Sequence, residues 1–393
     1  MNRYTVFLVL FLIFTACEKP DGDETEQAVI EEISVHTGGI QNPERLSLVE
    51  STKITNVILL IGDGTGLAQI TSGQLNLVGK DGMLHIQTMP VTGIVKTHSS
   101  DNLITDSAAG ATAYSCGIKT YNGAIAVTPD KKRCKTILEM AEEKGLATGL
   151  VATSSITHAT PASFGAHVES RSMENEIAAQ LLASGSEILL GGGMEFFASD
   201  YREDSRDLLG EFSEAGYQIL STAAELEAAE GNKLLGLFAE DGLERNNSEP
   251  LLPQMAEIAI DRLSKDEDGF FLMIEGSQID WGGHGNDANY VLEEVRDFDQ
   301  TVKAVLDFAQ KDGETLVVLT ADHETGGMTL TNQKEEGKAM EIYWPTDYHT
   351  ATPVPLMAYG PRALEFMGWR DNTYIGVKLA ELLDVGTLPS IEE

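Results

Sequence analysis

Six short apolar runs constrain the fold of this 393-residue chain, because nearly every position in them is apolar and many are β-branched. Strands that are buried on both faces of a sheet have this pattern. The runs occupy residues 56–61, 148–153, 187–190, 270–274, 315–320 and 354–359. Helical patterns lie between them, at 135–144, 173–184 and 254–263 and as an apolar stripe over 291–305. This alternation predicts an α/β fold, a three-layer sandwich with a large, mostly parallel central sheet flanked by helices.

The first 52 residues differ from the rest of the chain. A single positive charge and a short apolar run precede Cys17, which predicts a lipoprotein-type signal peptide over 1–16 and a lipid-modified Cys17. A plain cleaved signal is the alternative. Residues 17–52 are acidic and lack an apolar pattern, so we expect a flexible tether. The expected location is the periplasm or the cell surface, with membrane contact only through the lipid anchor, since the apolar run is too short to cross a bilayer.

The remaining residues, 53–393, are long enough to bury a large core, and we expect a single α/β domain. Residues 196–250 are polar and rich in Glu, which predicts a peripheral insertion, and 334–348 are expected to form a surface loop. Cys116 and Cys134 make no disulfide framework, and free thiols are preferred over a pair.

The charge balance excludes one class of partner. The chain has 62 acidic and 27 basic residues, a formal net charge of −35. Nucleic acids are bound through Lys and Arg, so we expect no nucleic-acid-binding surface. A site for phosphate or another anion would need its own local positive charge.

A run of small residues from Thr105 to Ala113 contains one candidate nucleophile. Thr105 or Asp106 is a suitable N-cap, which would place Ser107 in the first turn of a helix. The free N–H groups and the helix dipole there favour a bound phosphate. A serine hydroxyl needs a base or a metal to become a nucleophile, and no Gly-x-Ser-x-Gly elbow surrounds this one. An Ala-rich core helix with a capping Asp is the alternative interpretation.

Polar side chains follow several of the predicted strands at the point where each strand ends. They are Asp63, Glu275, Asp322 and His323. Because ligands of open α/β sheets bind beyond the carboxyl ends of the strands, we expect these four groups to lie together.

Asp280 and His284 are four residues apart, so a helical turn would place both on one face. His349 adds a third imidazole later in the chain. Mixed nitrogen and oxygen donors suit Zn²⁺, whereas the oxygen donors of Asp63, Thr160 and Glu275 suit Mg²⁺. Two transition-metal cations near Ser107 would lower the pKa of its hydroxyl. Together with an arginine such as Arg171, they would make a cationic pocket.

These motifs occur in an order that resembles the alkaline phosphatases, from about residue 56 to the C-terminus. The segments that carry the resemblance are Ile61-Gly62-Asp63-Gly64, Thr105-Asp106-Ser107-Ala108-Ala109, Thr157-His158-Ala159-Thr160-Pro161, Ala166-His167-Val168-Glu169-Ser170-Arg171, Glu275-Gly276-Ser277-Gln278-Ile279-Asp280, Thr320-Ala321-Asp322-His323-Glu324 and His349-Thr350.

The resemblance implies the fold of that family and hydrolysis of broad organic phosphomonoesters through a phosphoserine on Ser107. It implies two Zn²⁺ and one Mg²⁺, with Arg171 holding two phosphate oxygens, and a homodimer. The implied ligands are Asp280, His284 and His349 for the first zinc, Asp63, Asp322, His323 and the Ser107 oxygen for the second, and Asp63, Thr160 and Glu275 for magnesium.

Two residues depart from the best-known bacterial pattern. His158 stands where that pattern has Asp, and Trp281 where it has Lys, a pair similar to the cold-active and marine bacterial branch. We expect His158 to act in the second shell of the magnesium site, joined through water, and direct ligation is the alternative. Trp281 is expected in the phosphate pocket, with weaker product binding.

Two other functions stay open from sequence. One is a phosphodiesterase or phosphomutase of the same superfamily, and the other is a non-catalytic lipoprotein that binds metal. Ser107 and Arg171 favour the hydrolase, because metal storage requires neither residue.

Overall fold

The computed structural model describes residues 29–39, 42–202 and 204–392. The predicted signal peptide over 1–16 and the lipidation site Cys17 lie outside these residues. Within the described part, no helix is both long and apolar enough to traverse a bilayer.

In that part of the chain the strands are β1 (Val29–Ser34), β2 (Asn56–Gly62), β3 (Val91–Lys96), β4 (Ala147–Ser155), β5 (Ile188–Gly192), β6 (Gln218–Leu220), β7 (Leu234–Leu237), β8 (Phe270–Gly276), β9 (Thr315–Thr320), β10 (Glu324–Thr325), β11 (Thr329–Lys334), β12 (Ala339–Trp344), β13 (His349–Thr350), β14 (Val354–Tyr359) and β15 (Gly368–Asp371). The α-helices are α1 (Leu67–Val78), α2 (Ser107–Cys116), α3 (Ile137–Lys144), α4 (Ala159–Gly165), α5 (Glu174–Ser184), α6 (Leu208–Glu214), α7 (Ala223–Glu227), α8 (Leu252–Leu263), α9 (Gln278–His284), α10 (Ala288–Asp312) and α11 (Thr373–Leu382).

A ten-stranded sheet forms the centre of the described fold, in the order β15-β3-β14-β9-β2-β8-β4-β5-β7-β6. Only β14 runs antiparallel to its neighbours, β3 and β9. The six apolar runs are β2, β4, β5, β8, β9 and β14. The predicted fold class, a three-layer α/β sandwich with a mostly parallel sheet, is confirmed.

The two faces of β2 show why three layers form. Val57, Leu59 and Ile61 pack into one hydrophobic cluster, and Ile58 and Leu60 pack into a second. Alternate residues of a strand point to opposite faces, so a strand that is apolar throughout needs helices on both sides.

Two strands in the predicted insertion were not visible in the sequence. Within 196–250, β6 and β7 extend the central sheet beyond β5. They are three and four residues long, too short to give a recognisable period.

The prediction of a flexible tether is wrong for residues 29–34, and the prediction of a surface loop is wrong for 339–344. β1 and β12 pair antiparallel over six residues, and β11 completes a three-stranded sheet. Glu31 shows why the acidic composition suggested a solvated tether although the segment is folded. Its Oε2 accepts hydrogen bonds from Trp344 Nε1 at 3.0 Å and from the Ala288 N–H, at the start of α10, at 2.7 Å. This carboxylate therefore joins the small sheet to a helix N-terminus.

Helix α2 begins where the sequence predicted. Asp106 is its N-cap, and Asp106 Oδ1 accepts a hydrogen bond from the Ala109 N–H at 3.0 Å. Such a cap contributes about 1 kcal/mol. Gly117 ends the helix in the left-handed conformation. Cys116 and Cys134 are buried free thiols, as preferred.

Candidate metal centre

The three central strands bring the predicted carboxylates together. β2 pairs in parallel with both β8 and β9, so that Ile61 lies opposite Glu275 on one side and Thr320 on the other. Asp63 follows β2 directly, and its N–H donates to Gly276 O at 3.1 Å. The parallel register therefore places these strand ends at one edge of the sheet, as the sequence predicted.

A first group of ligand atoms is formed by Asp280, His284 and His349. Asp280 Oδ2 lies 3.4 Å from His284 Nε2, Asp280 Oδ1 lies 3.6 Å from His349 Nε2, and the two Nε2 atoms are 3.1 Å apart. His284 Nδ1 donates to Asp347 O at 2.6 Å, and His349 Nδ1 donates to Thr105 O at 2.9 Å. Since Nδ1 of each ring carries the proton, both Nε2 atoms present lone pairs to the same space, an arrangement that a cation would satisfy.

A second group is formed by Asp63, Asp322 and His323, all fully buried. His323 Nε2 lies 3.2 Å from Asp322 Oδ2 and 3.6 Å from Asp63 Oδ1. Asp322 Oδ1 accepts from the N–H groups of Gly64 and His323. Among the described residues, Asp322 Oδ2 and both carboxylate oxygens of Asp63 have no hydrogen-bond partner. Buried carboxylate oxygens of this kind require a cation or a donor.

A third group surrounds the other side of Asp63. Ligand atoms of Asp63, His158 and Glu275 all lie within 4.8 Å of one another. Glu275 Oε2 accepts from Ser277 Oγ at 2.7 Å. No partner within the described chain reaches Glu275 Oε1, Thr160 Oγ1 or His158 Nδ1. His158 therefore lies beside the carboxylates of the expected magnesium site.

Burial governs the electrostatics of these groups. It raises the pKa of Asp63 well above its usual value, and the neighbouring carboxylates raise it further. Burial also raises the pKa of Glu275 to about 7 and that of Asp280 to about 6. It lowers the pKa of His158 and His349 to about 3, so both imidazoles are neutral. Four clustered carboxylates with neutral imidazoles fit divalent cations, which would offset the repulsion between the acids.

Ser107 lies against the second group. It is the first residue of α2, and its Oγ is 3.3 Å from His323 Nε2. The His323 ring stacks on the His349 ring, with centroids 3.5 Å apart. The serine hydroxyl therefore lies at a helix N-terminus and beside the second group.

Arg171 approaches from the turn after α4. Its Nη1 donates to Asp106 Oδ2 at 3.2 Å and its Nη2 donates to His158 Nε2 at 2.8 Å. The ring of Trp281 packs edge-to-face on His158, with centroids 6.3 Å apart. Twelve catalytic, metal and pocket residues were predicted from sequence. Eight of them supply atoms to the three groups, namely Asp63, His158, Glu275, Asp280, His284, Asp322, His323 and His349. Ser107 contacts His323, whereas Arg171 and Trp281 contact His158. Thr160 Oγ1 is buried without a partner in the described chain.

Sequence reasoning missed the residues that hold the ligands in place. Thr325 Oγ1 donates to Asp280 Oδ1, and Ser154 and Ser277 hydroxyls surround Glu275 Oε2. Asp106 was expected as a cap but also binds Arg171. Thr325 and Ser277 lie within two residues of predicted ligands, and that proximity was the available signal.

Comparisons with known proteins agree with this geometry. The family model described as "Alkaline phosphatase" matches residues 54–342. Alkaline phosphatase 3 of Bacillus subtilis is 38% identical over 416 residues, a match that covers 84% of this chain and 89% of that protein.

Among solved structures, the alkaline phosphatase from the Antarctic bacterium TAB5 is 42% identical, with a TM-score of 0.80, over 85% of this chain and 100% of that chain. A variant of the TAB5 enzyme in which a histidine is replaced by aspartate, solved with Mg bound in the M3 site, is also 42% identical. Its TM-score is 0.78, over 85% of this chain and 99% of that chain.

Proposed function

Because the chain belongs to the alkaline phosphatase family and is therefore a phosphomonoesterase, we propose that it forms a phosphoserine on Ser107 and requires bound metal ions. One observation carries this proposal most directly. The Ser107 hydroxyl lies 3.3 Å from His323 Nε2, at the N-terminus of α2 and beside ligand atoms that the described protein leaves without partners. The proposed substrates are broad organic phosphomonoesters, with inorganic phosphate as a product.

The proposed ligands follow the three groups. Asp280, His284 and His349 would hold one Zn²⁺, and Asp63, Asp322 and His323, with the Ser107 oxygen, would hold the second. Asp63, Thr160 and Glu275 would hold Mg²⁺. When bound, these cations would stabilise the negative charge that develops on the oxygens around phosphorus.

The remaining work of the reaction belongs to residues of the chain. Ser107 Oγ attacks phosphorus, the ester P–O bond breaks, and the leaving group departs as an alcohol. Water then attacks the phosphoserine, which releases inorganic phosphate and restores the hydroxyl. The capping bond from Asp106 fixes the first turn of α2, so that its free N–H groups face the phosphoryl group. The side chain of Arg171 is 30% exposed, so its guanidinium can bind two phosphate oxygens of an entering substrate.

The test of the phosphoserine is Ser107→Ala. We expect the variant to keep its zinc, measured by elemental analysis, and to lose at least about 10³-fold in kcat for 4-nitrophenyl phosphate. Ser115→Ala is the matched control, because Ser115 is buried in the same helix and touches none of the proposed ligands. A Ser107→Ala enzyme that keeps the activity of the control would refute the phosphoserine. Faster turnover of a diester than of a monoester with the same leaving group would indicate a phosphodiesterase instead.

We also propose that His158 acts in the second shell of the third cation. Its Nε2 accepts a hydrogen bond from Arg171, so the proton of the neutral ring lies on Nδ1, which can donate to a ligand or to a metal-bound water but cannot bind the metal itself. His158→Asp would place a carboxylate oxygen, which Mg²⁺ prefers, beside Asp63 and Glu275, and the TAB5 variant with a histidine-to-aspartate change binds Mg in its M3 site. We expect half-activation at about tenfold lower Mg²⁺, whereas His36→Asp, which adds the same charge outside the site, should leave the requirement unchanged. Equal magnesium requirements in all three enzymes would contradict a place for residue 158 beside the third cation.

Export, lipid attachment at Cys17 and a homodimer complete the proposal. The signal-like residues 1–16 support the first two, and resemblance to the family supports the third. We also propose that residues 53–393 form a single catalytic domain with an insertion over 196–250, again on the basis of the resemblance to the family. Mass spectrometry of the mature N-terminus and sedimentation of the purified protein test these points.

A further inference from the structure

One segment of the insertion crosses the edge of the sheet beside the site. Residues 239–243 are tied to the ends of β5 and β4 by backbone hydrogen bonds, since the Gly193 and Met194 N–H groups donate to Ala239 O and the Leu243 N–H donates to Thr153 O. Gln278 Nε2, from α9, donates to Leu243 O at 2.7 Å. Both ends of this segment are therefore fixed, and its backbone cannot readily move away from α9.

Gly242 lies in the middle of this segment, against the indole of Trp281. A Cβ added at Gly242 would lie 2.3 Å from Cη2 and 2.7 Å from Cζ3 of that ring. The backbone of Gly242 does not have a positive φ, so its conformation alone would accept Ala. The indole of Trp281 therefore occupies the space that a side chain at position 242 would need.

Two further contacts lead from the indole to Arg171, the proposed phosphate-binding arginine. Trp281 packs on His158 at an interplanar angle of 82°. Arg171 Nη2 donates to His158 Nε2 at 2.8 Å. A displacement of the indole would therefore be passed to the guanidinium through one packed ring.

We propose that Gly242 is a positioning residue that sets the place of Arg171 through Trp281 and His158. This inference rests on the proposed function, in which Arg171 binds phosphate. It gives the insertion a part in holding substrate and product, although none of the described residues of 196–250 belongs to a candidate metal-binding group.

Gly242→Ala tests the inference. The indole must move by about 1 Å to regain van der Waals contact, and a shift of that size near a reacting group costs on the order of tenfold or more. We expect the inhibition constant of inorganic phosphate to rise about tenfold, with zinc content unchanged. Gly231→Ala is the matched control, because it lies in the same insertion and the nearest atom to its Cβ would be Gln218 Oε1, at 3.2 Å.

The double variant Gly242→Ala/Trp281→Phe separates positioning from general disturbance. Phenylalanine lacks the outer indole atoms that meet the new Cβ, so Gly242→Ala should change phosphate inhibition less than twofold in the Trp281→Phe background. A spectroscopic readout is independent of activity. The chain has three tryptophans, and with 5-fluorotryptophan the ¹⁹F resonance of Trp281, assigned by its loss in Trp281→Phe, should shift in Gly242→Ala while the other two stay in place.

Two results would overturn the inference. One is an unchanged phosphate inhibition constant in Gly242→Ala, and the other is the same fold-change in the Trp281→Phe background. Failure of the proposed function looks different, because Ser107→Ala would then keep the activity of its control, whatever Gly242→Ala does to phosphate inhibition.

Discussion

Gly110, in the first half of α2, offers a way to move one metal ligand by a small and known amount. A Cβ added at Gly110 would lie 3.0 Å from Asp322 Cβ and 3.4 Å from Asp322 O. The φ of Gly110 is not positive, so Ala fits the helical backbone. Alanine is better than glycine in a helix by about 1 kcal/mol.

The expected displacement follows from these distances. Carbon atoms in ordinary contact are about 3.5 Å apart or more, so Asp322 must move by about 0.5 Å. Its Oδ1 stays tied to the N–H groups of Gly64 and His323, so the unpartnered Oδ2 changes its position relative to Asp63 and His323. We expect Gly110→Ala to lower zinc affinity and kcat/KM by about tenfold each. The free energy of unfolding of the metal-free protein should change by less than about 1 kcal/mol, because the gain in helix propensity offsets the contact.

Chelator competition, initial rates with 4-nitrophenyl phosphate and urea unfolding of the metal-free protein measure the three quantities. Gly73→Ala in α1 is a control that should disturb the core and not the site, since its Cβ would lie 2.4 Å from Val295 Cγ1 in the core. That variant should lose stability but keep kcat/KM at saturating zinc. The reasoning is refuted if Gly110→Ala is destabilised like Gly73→Ala while its zinc affinity and kcat/KM match those of the unmodified enzyme.

Two further predictions concern charge. With a net charge of −35, the enzyme should repel dianionic substrates, and salt should screen this repulsion. We therefore expect kcat/KM to rise a few-fold as NaCl increases from about 10 to 150 mM at fixed metal. A flat or falling profile would show that electrostatic repulsion does not limit substrate approach. Burial raises the pKa of Glu142 to about 7, so Glu142 binds its proton more tightly in the folded state than in the unfolded state. The stability that this proton contributes is present below the unfolded pKa near 4.5 and is lost as pH rises through 7. Glu142→Gln should therefore gain roughly 1 kcal/mol relative to the unmodified enzyme between pH 5 and 8 in urea unfolding at saturating zinc, a value reduced from full linkage because solvent screens this partly exposed group. If the difference in unfolding free energy between the two enzymes stays the same from pH 5 to 8, the raised pKa of Glu142 would be contradicted.

The sequence predicted best what depends on local pattern. β2 is apolar at every position, and Asp63 follows it directly, so both the strand and the ligand at its end could be placed. Helix α2 could be placed because Asp106 is a good N-cap and small helix formers follow it. Parallel pairing then brings the strand ends together without any further information.

The sequence did not predict what depends on distant partners. β1 is paired with β12 about 300 residues later, and Glu31 looks like any solvated acid until its two donors are known. β6 and β7 become strands because the edge of β5 is available to them. The contact between Gly242 and Trp281 joins a surface insertion to α9, and no periodicity in either segment indicates it.

Four residues of the candidate site share one design, and it explains why one atom of each lacks a partner. Asp322 anchors one oxygen to two N–H groups and leaves the other oxygen unpartnered in the described protein, and Glu275 anchors one oxygen to the Ser277 hydroxyl and leaves the other unpartnered. His284 and His349 each anchor Nδ1 to a backbone carbonyl and turn Nε2 inward. One atom of each of these four residues thus fixes its orientation, which removes the rotamer entropy that metal binding would otherwise cost. The remaining atoms face one another at distances that repel unless a cation lies between them. The fold therefore holds the ligands in place before any ion arrives, and the repulsion that this creates strengthens the attraction for divalent cations in a protein whose surface is already strongly negative.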